Sequence, residues 1–141
     1  MIQYRFSDAT HGSAAVEFSL LAPLLLLFVL GLVGFAVVLS TASGLQQLAA
    51  EAARASVGGL TDSERSQIAQ SFVTSHATSY PFLDPKQLTV ATNPVVTPMA
   101  AFQVSLDYDL SRGLVGQLAT LMPALPAHLQ RSAVVTISTG L

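Results

Sequence analysis

Glu17 is an acid placed directly ahead of a long uncharged stretch, in the order His11-Gly12-Ser13-Ala14-Ala15-Val16-Glu17-Phe18. A carboxylate at such a position has two physical uses. At a helix start it meets the positive end of the dipole, an effect of ~0.3–1 kcal/mol. At the head of a membrane helix an unpaired charge costs up to ~3 kcal/mol at the bilayer centre and less near the interface, so it gains from a cationic partner. The other residue types able to do chemistry do not assemble into a pattern. His11, His76 and His128 are far apart in sequence and have no Cys or acid at ligand spacing, which argues against a metal centre. Asp107 and Asp109 share one side of an expected strand and admit an acid pair or a cation site. A solvated strand face explains them more simply, and such charges discourage edge pairing. No serine has a nearby His–acid pair to activate it, and no Gly-rich phosphate loop is present. The chain has no cysteine, so disulfides, thiolate metal ligands and cysteine nucleophiles are excluded. The expectation is a protein that is not an enzyme and takes no cofactor.

The element that positions Glu17 is the apolar run from Leu20 to Leu39, LLAPLLLLFVLGLVGFAVVL, which has no charged or polar side chain. As a helix of about 1.5 Å per residue it is roughly 30 Å long, the thickness of a bilayer hydrocarbon core. Hydrophobic residues make up 51% of the chain and charged residues 10%, and the apolar excess is concentrated before residue 50. One Lys and five Arg are scattered along a chain of net charge −2, so nothing grips a phosphate backbone and nucleic acid is not an expected partner. A cleavable secretory signal is the competing reading, with Ser40-Thr41-Ala42 as a small-x-small site. The run is longer than the ~7–15 apolar residues of such a signal. Its N-terminal flank sets Arg5 beside Asp8, and Glu17 serves no purpose in it. Pro23 withholds a backbone donor and crowds the Ser19 carbonyl, so loosening is expected at residues 19–23. Gly31 and Gly34, three apart and not a G-x-x-x-G pair, either let a second helix approach closely or are simply tolerated in a lipid-facing helix. With Arg5 on one flank and Arg54 on the other, charge asymmetry does not orient the span.

The helix is expected to continue past Leu39, because Leu45, Leu48, Ala49, Ala52 and Val57 recur at helical spacing up to a stop at Gly58-Gly59. Glu51 and Arg54, three apart, form a candidate surface pair. Thr61-Asp62-Ser63-Glu64 fits a capping box that opens a second helix to about residue 78, with Ile68, Ala69, Phe72 and Val73 as its apolar stripe. Tyr80 to Pro85 is turn-rich. Strands are expected at Gln87–Thr92, ended by an Asn93-Pro94 turn, at Ala101–Leu110 and at Ser132–Thr139, with a short helix over Leu114–Leu121. In the middle strand Phe102, Val104, Leu106, Tyr108 and Leu110 alternate with polar residues. The predicted fold is α+β: a long N-terminal helix, a second helix and a small three-stranded antiparallel sheet with a short helix before the last strand.

The segment GSAAVEF followed by LLAPLLLL resembles the N-terminus of type IVb pilins of the tight-adherence (Tad, or Flp) systems, and within them the TadE-like minor pilins. The likeness covers residues 11–58 well and the remainder only in general layout. It implies cleavage by a membrane-embedded aspartyl prepilin peptidase between Gly12 and Ser13. Ser13 then becomes the mature N-terminus, Glu17 the fifth residue and Phe18 the sixth. Glu17, Phe18 and Pro23 become the residues that pack one subunit against another. The implied domains are a leader (1–12), a transmembrane and extended pilin helix (13–58, spanning at about 20–39) and a periplasmic head (59–141). The implied partners are the peptidase, the major Flp-type pilin and other minor pilins, the inner-membrane assembly platform and the lipid bilayer. The implied location is the bacterial inner membrane, single-pass, N-terminus cytoplasmic and head periplasmic, with entry into the extracellular pilus after assembly. The function implied is priming, capping or joining an adhesive pilus. The alternative is a single-span periplasmic scaffold that recruits assembly proteins without entering the filament. TadE and TadF roles stay open at this level, while length and a single head set the chain apart from the larger TadG.

Overall fold

The computed structural model describes residues 10–96 and 99–137. Its elements are α1 (Thr10–Ser56), α2 (Asp62–His76), 3-10 turns at Ala77–Ser79 and Pro85–Gln87, β1 (Leu88–Val95), β2 (Ala101–Asp109), α3 (Leu114–Ala119) and β3 (His128–Thr136). The strands form one antiparallel sheet in the order β1-β2-β3. This is the architecture expected from the sequence, with shifted boundaries.

α1 is a single helix of 47 residues that runs unbroken through Pro23. The proline's missing N–H therefore costs one bond to the Ser19 carbonyl without ending the helix, and the Ser19 hydroxyl donates to Val16 O at 2.8 Å. Two residues past the apolar run the helix changes character. Thr41, Ala42, Gly44, Leu45, Leu48, Ala49, Ala52 and Ala53 are buried, and the small residues among them let the rest of the fold approach closely. Leu45 and Leu48 pack into one core with Ala69 and Val73 of α2 and with Phe102, Val104, Leu106 and Tyr108 of β2. The buried hydroxyls of Thr41 and Ser56 donate back to Val37 O and Ala53 O, so neither is left unsatisfied.

α2 opens as its sequence predicts. Thr61 accepts from the Glu64 N–H, and the Glu64 carboxylate accepts from the Thr61 and Leu60 N–H groups. A hydroxyl–hydroxyl bond of 2.8 Å between Ser66 and Thr92 ties α2 to β1, and Gln46 donates to Ser132 O to tie α1 to β3.

Three local expectations are corrected. Asn93-Pro94 does not turn the chain: β1 continues to Val95, with Pro94 opposite Phe102. β1 is an edge strand, so a residue without an N–H can stay in it. β3 begins at His128, four residues earlier than the apolar pattern shows, because pairing with the polar end of β2 extends it, His128 opposite Asp109. Its expected last residues, 138 and 139, lie outside the described residues. Glu51 does not pair with Arg54; its carboxylate accepts from the Tyr80 hydroxyl at 2.9 Å. Burial and that carboxylate hold the Tyr80 phenol above its ordinary value of 10.0.

Candidate functional site

The residues singled out in the N-terminal segment all lie on α1. Gly12 and Ser13 fall in its first turn. Glu17 lies seven residues into the helix, beyond the first turn where the dipole acts. Glu17, Phe18 and Pro23 are all exposed, and Phe18 retains 71% of its surface. Leu20, Leu21, Leu24, Leu25, Phe28 and Leu32 are exposed as well, in a helix long and apolar enough to cross a membrane. Two apolar furrows run along this stretch, one lined by Leu21, Leu24, Leu25 and Phe28, the other by Phe18, Ala22, Leu25, Leu26 and Val29. An apolar surface of this extent is not left to water; it marks a lipid or protein contact.

Cover begins at Gly31. A Cβ there would lie 2.5 Å from Met122 Cε, and one at Gly34 would lie 3.2 Å from Leu118 Cδ1 and 3.3 Å from Leu125 Cδ1. The room these glycines leave is therefore filled by the chain's own α3 region, not by a second membrane helix. The competing secretory cut after Ala42 fits this packing poorly, since it would strip Val38, Thr41 and Ala42 from the buried set.

One level further along α1, Val37 and Thr41 line a cleft of about 380 Å³ with Phe82, Leu83, Tyr108, Arg112 and Gly113. Its rim is held by Tyr108, whose hydroxyl donates to Phe82 O at 3.0 Å and accepts from Asp84 N–H at 3.1 Å. That clamp keeps Phe82 at φ 65°, a left-handed conformation costly for an aromatic residue. Gly113, at φ 125°, reaches a region closed to residues with a Cβ.

The sheet brings together what the sequence keeps apart. His128 Nδ1 lies 3.5 Å from Asp107 Oδ1 and opposite Asp109 across the ladder. The Ser111 N–H donates to Asp109 Oδ1 at 2.8 Å, and hydrogen bonding by Ser111, with His128 and Arg112 nearby, holds the Asp109 carboxyl below its ordinary value of 3.8. Strand alternation alone puts the two acids on one side, but only the β2–β3 register brings His128 to them. The pair is largely exposed, where ion pairs contribute little. Among the described residues no group of three or more His, Cys, Asp or Glu is placed to hold a metal ion.

These features define an exposed apolar helix with an acid near its head and a small α+β unit built onto its other end. The family model for TadE-like protein matches residues 12–54, a segment lying wholly inside α1. Over that segment the chain is similar to TadE-like protein. No curated protein and no solved structure matches the chain.

Proposed function

We propose that the protein is a minor pilin of a Tad pilus, cut between Gly12 and Ser13 by a prepilin peptidase and taking part in pilus assembly through the exposed half of α1. The observation that carries this reading is the spacing Gly12–Glu17–Phe18 at the head of a helix whose apolar surface its own head leaves uncovered. Gly12 has no Cβ and Ser13, Ala14 and Ala15 are small, so the bond between Gly12 and Ser13 is sterically open to a protease once the first turn unwinds. Cleavage makes an α-amino cation at Ser13 and brings Glu17 to the fifth position. In a low-polarity setting that carboxylate attracts the N-terminal amine of a neighbouring subunit, and the desolvation cost penalises wrong axial registers. The partners in this reading are the major pilin, other minor pilins and the inner-membrane assembly platform. The reading assigns the protein a structural role and no catalysis, with the head on the periplasmic side.

N-terminal sequencing of the protein purified from its host is the direct test. A chain beginning at Ser13 is expected; an uncut chain, or one beginning near Ser43, overturns the reading. Recovery in sheared pili distinguishes a filament component from a membrane-bound scaffold, which stays with the inner membrane. A Glu17→Ala variant that is processed and still enters pili at the normal level removes the role given to Glu17.

A further inference from the structure

The α3–β3 connection meets α1 at a depth that its composition explains. At about 1.5 Å per residue, Gly31 stands ~21 Å and Gly34 ~25 Å from Glu17 along the axis. The hydrocarbon layer is about 30 Å thick, and tilting the helix only increases the number of residues within it. With Glu17 at one edge, the side chains of Met122, Leu118 and Leu125 that touch Gly31 and Gly34 stand within the far leaflet. A head confined to water does not reach that level.

The segment is built for such a place. From Gly113 to Ala127 it has no charged side chain, although Arg112 and His128 flank it. Leu121 keeps 64% of its surface exposed at the tip. Irregular backbone enters hydrocarbon only if its polar groups are paired. Here the Leu121 and Met122 N–H groups donate to Leu118 O and the Leu125 N–H donates to Met122 O, and Pro123 and Pro126 have no N–H to satisfy; the Ala124 N–H, outside these bonds, keeps the entry of the tip shallow. Phe82 and Arg112 line the cleft at Val37 and Thr41, ~30–36 Å from Glu17 at the same rise, the level at which aromatic and basic side chains favour lipid headgroups.

We propose that the α3–β3 segment is a second membrane contact: Leu121, Met122 and Leu125 enter the leaflet on the head's side beside α1, and Phe82 and Arg112 rest among its headgroups. The head is thereby held down against the bilayer at a fixed height and rotation, and does not swing on a free stalk. The inference rests on α1 spanning a bilayer with Glu17 at its edge, but not on cleavage at Gly12.

The chain contains no tryptophan, so single replacements report depth without background. Leu121→Trp, Phe28→Trp and Leu60→Trp are each introduced into the full chain and reconstituted in phosphatidylcholine–phosphatidylglycerol vesicles, with ordinary or brominated acyl chains. Leu121 and Leu60 are both exposed, so neither replacement disturbs the core. Brominated chains are expected to quench Phe28→Trp most and Leu121→Trp strongly, and to leave Leu60→Trp unchanged. An unquenched Leu121→Trp beside a quenched Phe28→Trp overturns the second contact, and if its emission is also blue-shifted, a neighbouring protein covers the loop in place of lipid. An unquenched Phe28→Trp brings down the spanning helix and this inference with it, while N-terminal sequencing still reports separately on the cut. The chain also lacks cysteine, so Leu121→Cys gives an independent reading: shielding from a water-soluble maleimide in vesicles and loss of that shielding in detergent-free urea support the contact, and equal labelling in both counts against it.

Discussion

The two halves of α1 are equally helical and oppositely employed. From Ala14 to Val29 its leucines and phenylalanines are mostly exposed, whereas from Val38 to Ala53 one face is buried in every turn. From Leu20 onward the first half is apolar all round, as a helix solvated by lipid or by other helices must be. The second half has one face of Ala, Gly and Leu and another of Ser, Gln and Glu, which is the pattern of a helix half-covered by a small domain. Hydropathy separates the halves only gradually. What divides them is whether the chain's own strands and α2 and α3 return to cover the helix.

The largest effect that sharpens this contrast is a pair of truncations. Phe102→Ala, at a side chain 1% exposed, is expected to cost ~3–5 kcal/mol, a large share of the ~5–15 kcal/mol that holds a domain together. Leu25→Ala in the uncovered half should change head stability by no more than ~0.5 kcal/mol. Urea unfolding in micelles, followed by protease resistance of the head, compares the two. Equal losses would mean that the exposed half is part of the folding unit.

Gly34→Leu tests where the boundary lies. Its side chain would displace Leu118 and Leu125, and overpacking of this kind costs ~1–3 kcal/mol although Leu is the better helix former. An unchanged unfolding midpoint would place the boundary nearer Val38. Thr61→Ala removes one half of the α2 capping box and should cost ~1 kcal/mol, read in the same unfolding experiment as a shift in midpoint with an unchanged slope.

The smallest expected effect is pH-dependent. The Asp109 carboxyl is held below 3.8 in the folded chain. Its contribution is therefore complete above the unfolded value, near pH 4, and disappears as pH falls through the lower folded value. Asp109→Asn should be slightly less stable than the parent at neutral pH, with the difference shrinking in acid. A difference that grows below pH 4 would show that the sign is wrong. No comparable dependence is expected from substitutions at Leu25.

The sequence is legible wherever a local rule governs. The capping box at Thr61 and Glu64, the alternation of β2 and the stop at Gly58-Gly59 each follow from a handful of adjacent residues, and all three stand in the structure. Asn93-Pro94 misleads because the same dipeptide suits a turn and an edge strand, and only pairing with Phe102 and Gln103 decides between them. The start of β3 was obscured for a related reason: His128 to Arg131 carries little apolar alternation, and the β2 ladder recruits it. Among the candidate site residues, Glu17 and Phe18 needed no fold to be noticed. Their meaning lies in spacing from Gly12 along one helix, a distance that sequence and α-helical geometry specify together.

By itself, then, the amino-acid order determined a helix able to span a bilayer, the acid at its head and the α+β character of the rest. These depend on interactions within a few residues, or on the sum of apolar surface, which do not require knowing what lies opposite. Tertiary structure alone decided that Gly31 and Gly34 receive Met122, Leu118 and Leu125, that His128 meets Asp107, and that Glu51 accepts from Tyr80. Each of those contacts joins positions far apart in the chain, and no periodicity records them. Packing across the helix and register across the sheet bring them together, and with them the depth at which the head stands beside α1.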